Sequence, residues 1–215
     1  MLTEKAQTTL AQLHGVTKSG TIKKMAKEVK KDHALAMELW STAQLYPRML
    51  SVLIMDKKQL TQEFINILAN DLLVHDLKDR NQISEWLLAN QLMKNKNTKL
   101  LLDSWEHNNS AVLRRLFWYY QARLRWTGQT PPDNTERLME SLEKNLAQEE
   151  PEVQWTMNFT AGQIGIFDPQ YRSRCIVLGE SLGLYKDDLV AKNCTPAYLP
   201  EFIRIEVAKK KQVKI

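Results

Sequence analysis

Between positions 75 and 79 the chain reads His-Asp-Leu-Lys-Asp, two carboxylates three residues apart beside a group that titrates near neutral pH. A carboxylate held in place can stabilise a developing cation and position an attacking water, which is the chemistry that hydrolyses a bond to a sugar. Asp79 is the candidate for that role. Asp76 lies on nearly the same helical face, where it either shares the site or caps a helix. His75 can bond a phosphate, pack against a sugar or orient Asp79. Each residue also has a plainer reading: Asp79 as a solvated charge between Lys78 and Arg80, His75 as a polar helix end. On residue types alone the plainer reading of Asp79 wins.

Cations are the second chemical feature, and their distribution says more than their total. The formal charge is +5, yet residues 1–31 carry seven lysines against two glutamates and the tail 209–215 carries four lysines and no acid, which leaves the middle at −4. A nucleic-acid surface must therefore be local. One candidate is the helix whose apolar positions are Ile22, Met25, Ala26 and Val29. This spacing puts Lys23, Lys24, Lys27, Lys30 and Lys31 largely on the opposite side. The other runs from Ser110 to Pro132, with Arg114, Arg115, Arg123 and Arg125, no acid, and Trp118, Tyr119, Tyr120 and Trp126 interleaved. Core packing is the expectation for Tyr119 and Tyr120. Trp155 and Phe159, at i and i+4, form either an aromatic shelf or an inter-helix contact, and contact is favoured for Trp155.

Other chemistries find no support. There is no glycine-rich phosphate loop and no nucleophile elbow. Cys175 and Cys194 lack metal-ligand spacing, so neither a metal nor a cofactor is expected. The cysteine usage fits a reducing cytoplasm, and the longest apolar run, Met49 to Met55, is too short to cross a membrane.

The elements that must position these residues read as helices. Apolar stripes of helical period recur as Leu60-Phe64-Ile67-Leu68, as Ile83-Trp86-Leu87 and as Leu113-Leu116-Phe117-Tyr120-Leu124. Further stripes are Leu138-Leu142-Leu146 and Val153-Met157-Ala161-Ile164. Pro47, the Asn95 to Asn97 break, Gly128 to Pro132, Asp168-Pro169 and Gly183 punctuate them. About a dozen short helices in pairs at an interval of ~40 residues suggest stacked helical repeats. The expectation is an all-α protein forming one domain over 1–215 with a basic tail at about 209–215. A compact irregular helical domain is the alternative.

Two segments carry a family resemblance. Ala26-Lys27-Glu28-Val29-Lys30-Lys31-Asp32 followed by Leu35-Ala36-Met37-Glu38-Leu39-Trp40, and Val153 to Pro169 with its Ile164-Gly165 and Asp168-Pro169, resemble the DNA alkylation repair (AlkD-like) family. The likeness runs from about Thr21 to Phe202. It implies an α-α superhelix (solenoid) of HEAT-like helical repeats and a monomeric partner of double-stranded DNA, alkylated DNA included. It also implies a DNA glycosylase activity that hydrolyses the N-glycosidic bond of N3- or N7-alkylated purines. Active members carry Trp-Asp-Xaa-Val-Asp on the surface that meets DNA. Here both carboxylates match as Asp76 and Asp79, while His75 stands in place of the tryptophan. The resemblance makes Asp79 and His75 the catalytic candidates. Arg115, Arg114, Phe159 (for a second aromatic), Lys23 and Lys27 become the DNA-binding ones. A non-catalytic HEAT-like DNA-binding module is the alternative, and a protein-interaction solenoid a more distant one.

Overall fold

The computed structural model describes residues 2–212, with side chains through Lys210, so the rest of the lysine tail lies outside the described residues. Among the described residues there are helices and turns and no strand. The chain divides into two compact units, Met1–Leu116 and Phe117–Ile215.

The first unit contains α1 (Glu4–Leu13), α2 (Ser19–Val29), α3 (His33–Ser41), α4 (Leu45–Ile54), α5 (Gln62–Asp71), α6 (Leu77–Asn90), α7 (Lys96–Asp103) and the start of α8 (Ala111–Trp126). Its centre is α4, which packs against α1, α2, α3 and α6. A helix covered on so many sides must be apolar nearly all round, which explains the run Met49 to Met55. Side chains set the helix starts: Asp32 accepts from Leu35 N at 3.0 Å, Thr61 from Phe64 N at 3.3 Å and Asn95 from Asn97 N at 3.1 Å. The polar stretch at Asn95 is thus a helix start rather than a gap. On α5 the buried stripe is Ile65, Leu68 and Ala69, and Ile67 faces solvent, one step away from the expected register.

The second unit holds the remainder of α8, α9 (Thr135–Asn145), α10 (Pro151–Phe167), α11 (Arg172–Leu182) and α12 (Leu199–Gln212), with α10, α11 and α12 packed on one another. Glycines make the seat for α12. A Cβ on Gly179 would lie 2.6 Å from Pro200 Cδ and 2.7 Å from Leu199 Cβ, and one on Gly165 would lie 2.6 Å from Ile203 Cδ1. Overpacking of this kind costs about 1–3 kcal/mol. Gly179→Val is therefore expected to lower the unfolding free energy from urea denaturation by an amount in that range, and an unchanged midpoint would contradict the close seating of α12.

Candidate nucleic-acid interface

One buried arginine supports the end of the first unit that carries His75. Arg48 on α4 donates from Nε to the Trp40 carbonyl at 3.0 Å and from Nη1 to the Asp71 carbonyl at 2.7 Å. These carbonyls belong to the last turns of α3 and α5, where the final C=O groups lack intrahelical partners and the helix dipole is negative. The guanidinium also sits 4.8 Å from the centroid of the Trp40 ring, and Trp40 Nε1 donates to Asp71 Oδ2 at 2.9 Å. A single cation therefore ties two helix C-termini together.

From this junction the chain leaves Asp71 through a 3₁₀ turn, Leu72–Val74, reaches His75, and starts α6 at Leu77. Asp76 is the cap of that helix, its Oδ1 accepting from Asp79 N at 2.8 Å. Of the two roles open to Asp76, capping is what the geometry shows. Asp79 stands in the first turn of α6 and is partly exposed, and its carboxylate makes no ion pair among the described residues. Leu73, Val74 and Leu77 are exposed around it in the chain, leaving apolar surface beside a carboxylate.

His75 is half-buried, and its Nε2 is shielded from solvent with no hydrogen-bond partner among the described residues. A buried polar atom without a protein partner is uncommon. Burial holds the imidazole below its usual range and the positive charge of Arg48 adds to this, while Asp79 and Asp76 act in the opposite direction. The folded state thus prefers neutral His75. Unfolded chains bind the proton near pH 6.5, so stability present above that pH is lost as pH falls from there towards the lowered folded value. The unfolding temperature of the wild type should accordingly drop more steeply below pH 6.5 than that of His75→Gln; parallel profiles would contradict this.

Lys23 reaches the helix that carries Asp79. Lys23 and Lys27 are exposed on α2 and make no ion pair among the described residues. Lys23 Nζ lies 5.2 Å from the centroid of the Trp86 ring, and Trp86 is fixed by its Nε1 donating to Met49 O at 3.0 Å. Trp86 follows Asp79 by seven residues, two helical turns along one face, or about 10 Å at ~1.5 Å per residue. Gln82 shares that face and donates to Met49 Sδ at 3.4 Å. Helical period assigns Trp86 to the core stripe and leaves Arg48 without a role. The signal for Arg48 was an arginine inside an otherwise apolar run.

The arginines behave differently from the lysines. Arg115 is 2% exposed and its Nη2 donates to Glu85 on α6. Arg114 donates from Nη1 to the carbonyls of Asn108 at 2.8 Å and Asn109 at 3.2 Å. In the second unit Arg125 is buried, donating to Gln121 O at 3.0 Å and Thr135 Oγ1 at 2.9 Å. The cause is the environment of α8, which is covered nearly all round: Leu113, Phe117, Trp118, Tyr120, Gln121 and Ala122 are all buried. Arg114, Arg115 and Arg125 thus bond protein acceptors where an amphipathic surface helix would have offered them to water.

Phe159 belongs to the second unit and is described there by itself. It is the hub of an aromatic cluster: Trp155 stacks on it at 5.4 Å and 15°, Trp126 meets it edge-on at 6.2 Å and 84°, and Tyr119 and Phe202 lie at 6.0 and 5.9 Å. Tyr119 is buried, whereas Trp155 and Trp126 are exposed. Among the described residues no group of His, Cys, Asp or Glu could hold a metal ion, and no helix is long and apolar enough to cross a membrane.

Comparison with known proteins shows the family of the chain and its fold. No curated protein matches the sequence. A solved structure described as representing "a new family of proteins related to the HEAT-like repeat DNA glycosylases with affinity for branched DNA structures" is similar, with a TM-score of 0.68 at 13% identity, covering 97% of this chain and 89% of that one. The fold is thus an all-α fold of the HEAT-like repeat type. The family model for DNA alkylation repair enzymes matches residues 10–176, which takes in α2 with its lysines, the His75 to Asp79 turn and Phe159, and the chain belongs to the DNA alkylation repair enzyme family.

Proposed function

We propose that the protein binds double-stranded DNA, alkylated DNA included, and that Asp79 supports slow hydrolysis of the N-glycosidic bond of N3- or N7-alkylated purines. One observation carries the reading: Lys23 lies over Trp86 on the same helix that presents Asp79, so a phosphate-binding cation and an ion-pair-free carboxylate share one helix face. An N-alkylated purine is cationic, and its departure leaves an oxocarbenium-like deoxyribose that a fixed carboxylate stabilises. Leu73 and Val74 offer the sugar an apolar edge. In this reading both units serve one DNA-binding domain, acting as a monomer in the cytoplasm without a cofactor.

A second reading, a DNA-binding module without excision, is favoured by two observations. His75 occupies the position of an aromatic wall, and the Arg115 guanidinium is engaged by Glu85. The two readings share the lysine surface and separate at Asp79.

Binding is tested by salt dependence. Neutralising phosphates releases counterions, so log affinity falls with log salt by about 0.9 per phosphate contacted. Lys23→Glu combined with Lys27→Glu is expected to weaken duplex binding and reduce that slope by about 2. A double variant with wild-type affinity and slope would remove α2 from the interface.

A further inference from the structure

The aromatic cluster of the second unit has a surface that the duplex reading does not use. Trp155 is 40% exposed and Trp126 is 51% exposed. Trp40, Trp86 and Trp105 each donate their indole N–H to a protein acceptor, at 2.9, 3.0 and 2.8 Å. What sets Trp155 and Trp126 apart from the buried Trp118 is exposure: their rings reach the surface, where a ligand ring can lie against them. Phe159 covers one face of Trp155 in a near-parallel stack, and the other face meets no aromatic ring among the described residues. Behind Phe159 stands Phe202, admitted by Gly162, where a Cβ would lie 2.7 Å from the Phe202 ring. The shelf is therefore rigid, backed by packed rings.

Charge decides what such a shelf takes. Arg123 is half-buried with its guanidinium 5.7 Å from the centroid of the Trp126 ring, and it makes no ion pair among the described residues. An indole face with a free guanidinium beside it matches a nucleobase with its phosphate. Bases inside a duplex are covered on both faces by their neighbours. Only an unpaired base, at a bulge, a branch or a strand end, has a face to give.

We propose that Trp155, with Trp126 and Arg123 beside it, forms a stacking site for an unpaired nucleobase, Trp155 receiving the base and Arg123 the adjacent phosphate. This rests on the reading of the protein as a DNA binder and adds a preference for helices that carry an unpaired base.

The experiment compares the full chain on a plain duplex and on the same duplex carrying one bulged 2-aminopurine, at a fixed salt concentration. The bulged DNA should bind more tightly, and the 2-aminopurine fluorescence should be quenched as the base stacks on indole. Trp155→Ala should weaken the bulged complex about tenfold, as expected from loss of one base–aromatic stack, and abolish the quenching while plain-duplex affinity holds. Trp155→Phe should keep most of both signals, which guards against a folding effect, and Arg123→Gln should weaken the bulged complex without restoring fluorescence. Retained quenching in Trp155→Ala, or equal losses on both DNAs, would overturn the proposal. So would duplex binding by the wild type with no bulge preference, and that result would leave the duplex reading standing. Failure to bind either DNA would overturn both.

Discussion

His75→Trp is expected to raise the release of 7-methylguanine from methylated duplex DNA by about 5- to 30-fold over the wild type. The reason is local. The transition state places positive charge on the deoxyribose, and a tryptophan face near a cation contributes about 1–2 kcal/mol once water is excluded. At ~1.36 kcal/mol per tenfold in rate, that interaction gives the stated range. Histidine offers a smaller face, and its half-buried ring sits where the Arg48 charge already disfavours a second cation. The substitution leaves Asp79 and its helix cap in place, so the gain should disappear in His75→Trp combined with Asp79→Asn. Quantified base release under excess protein measures it. A variant that binds methylated DNA as the wild type does and releases no more base would show that the missing wall is not what limits excision.

Arg48→Met should have the largest effect on stability, about 3–5 kcal/mol, and should weaken DNA binding through the site it supports. A buried charge removed from its partners leaves their polar groups without compensation inside the protein. Here the Asp71 carbonyl loses its side-chain donor, the Trp40 carbonyl keeps only a 3.3 Å bond from Ala43 N, and Trp40 loses the cation stacked on it. Arg48→Lys is expected to recover only part, because an ammonium cannot supply the planar fork that reaches both carbonyls while lying on an indole. Chemical denaturation of both variants checks the order. A methionine variant as stable as the wild type would show that the junction is incidental.

The fold was legible because apolar positions of helical period survive wherever a helix has one buried face, as on α2 with Ile22 inward and its lysines outward. Reading failed where that assumption failed. Helix α8 is covered nearly all round, so its clean stripe concealed that Arg115 and Arg125 also point inward. On α5 the alternation of Ile65 and Ile67 gave two registers of equal hydrophobicity, and only neighbouring helices choose between them. Within the first of the two segments that carry the family likeness, the stretch Asp32 to Trp40 builds scaffold. Asp32 caps α3 and pairs with Lys5 at 2.6 Å, Glu38 accepts from Thr3 N at 2.6 Å, and Trp40 completes the Arg48 junction. Trp86 was hidden for a related reason: one edge of its indole is core, and only the contact with Lys23 shows that its face meets the basic helix.

The most direct test of the account is release of free 7-methylguanine from methylated duplex DNA under single-turnover conditions with the protein saturating, comparing wild type with Asp79→Asn. The carboxamide keeps the shape of the side chain and removes the charge that stabilises the departing sugar cation. Both proteins are expected to bind the DNA alike, the wild type to release base slowly but above the protein-free rate, and Asp79→Asn to return release to that background. Vigorous excision by the wild type that survives Asp79→Asn would contradict the site and the mechanism together.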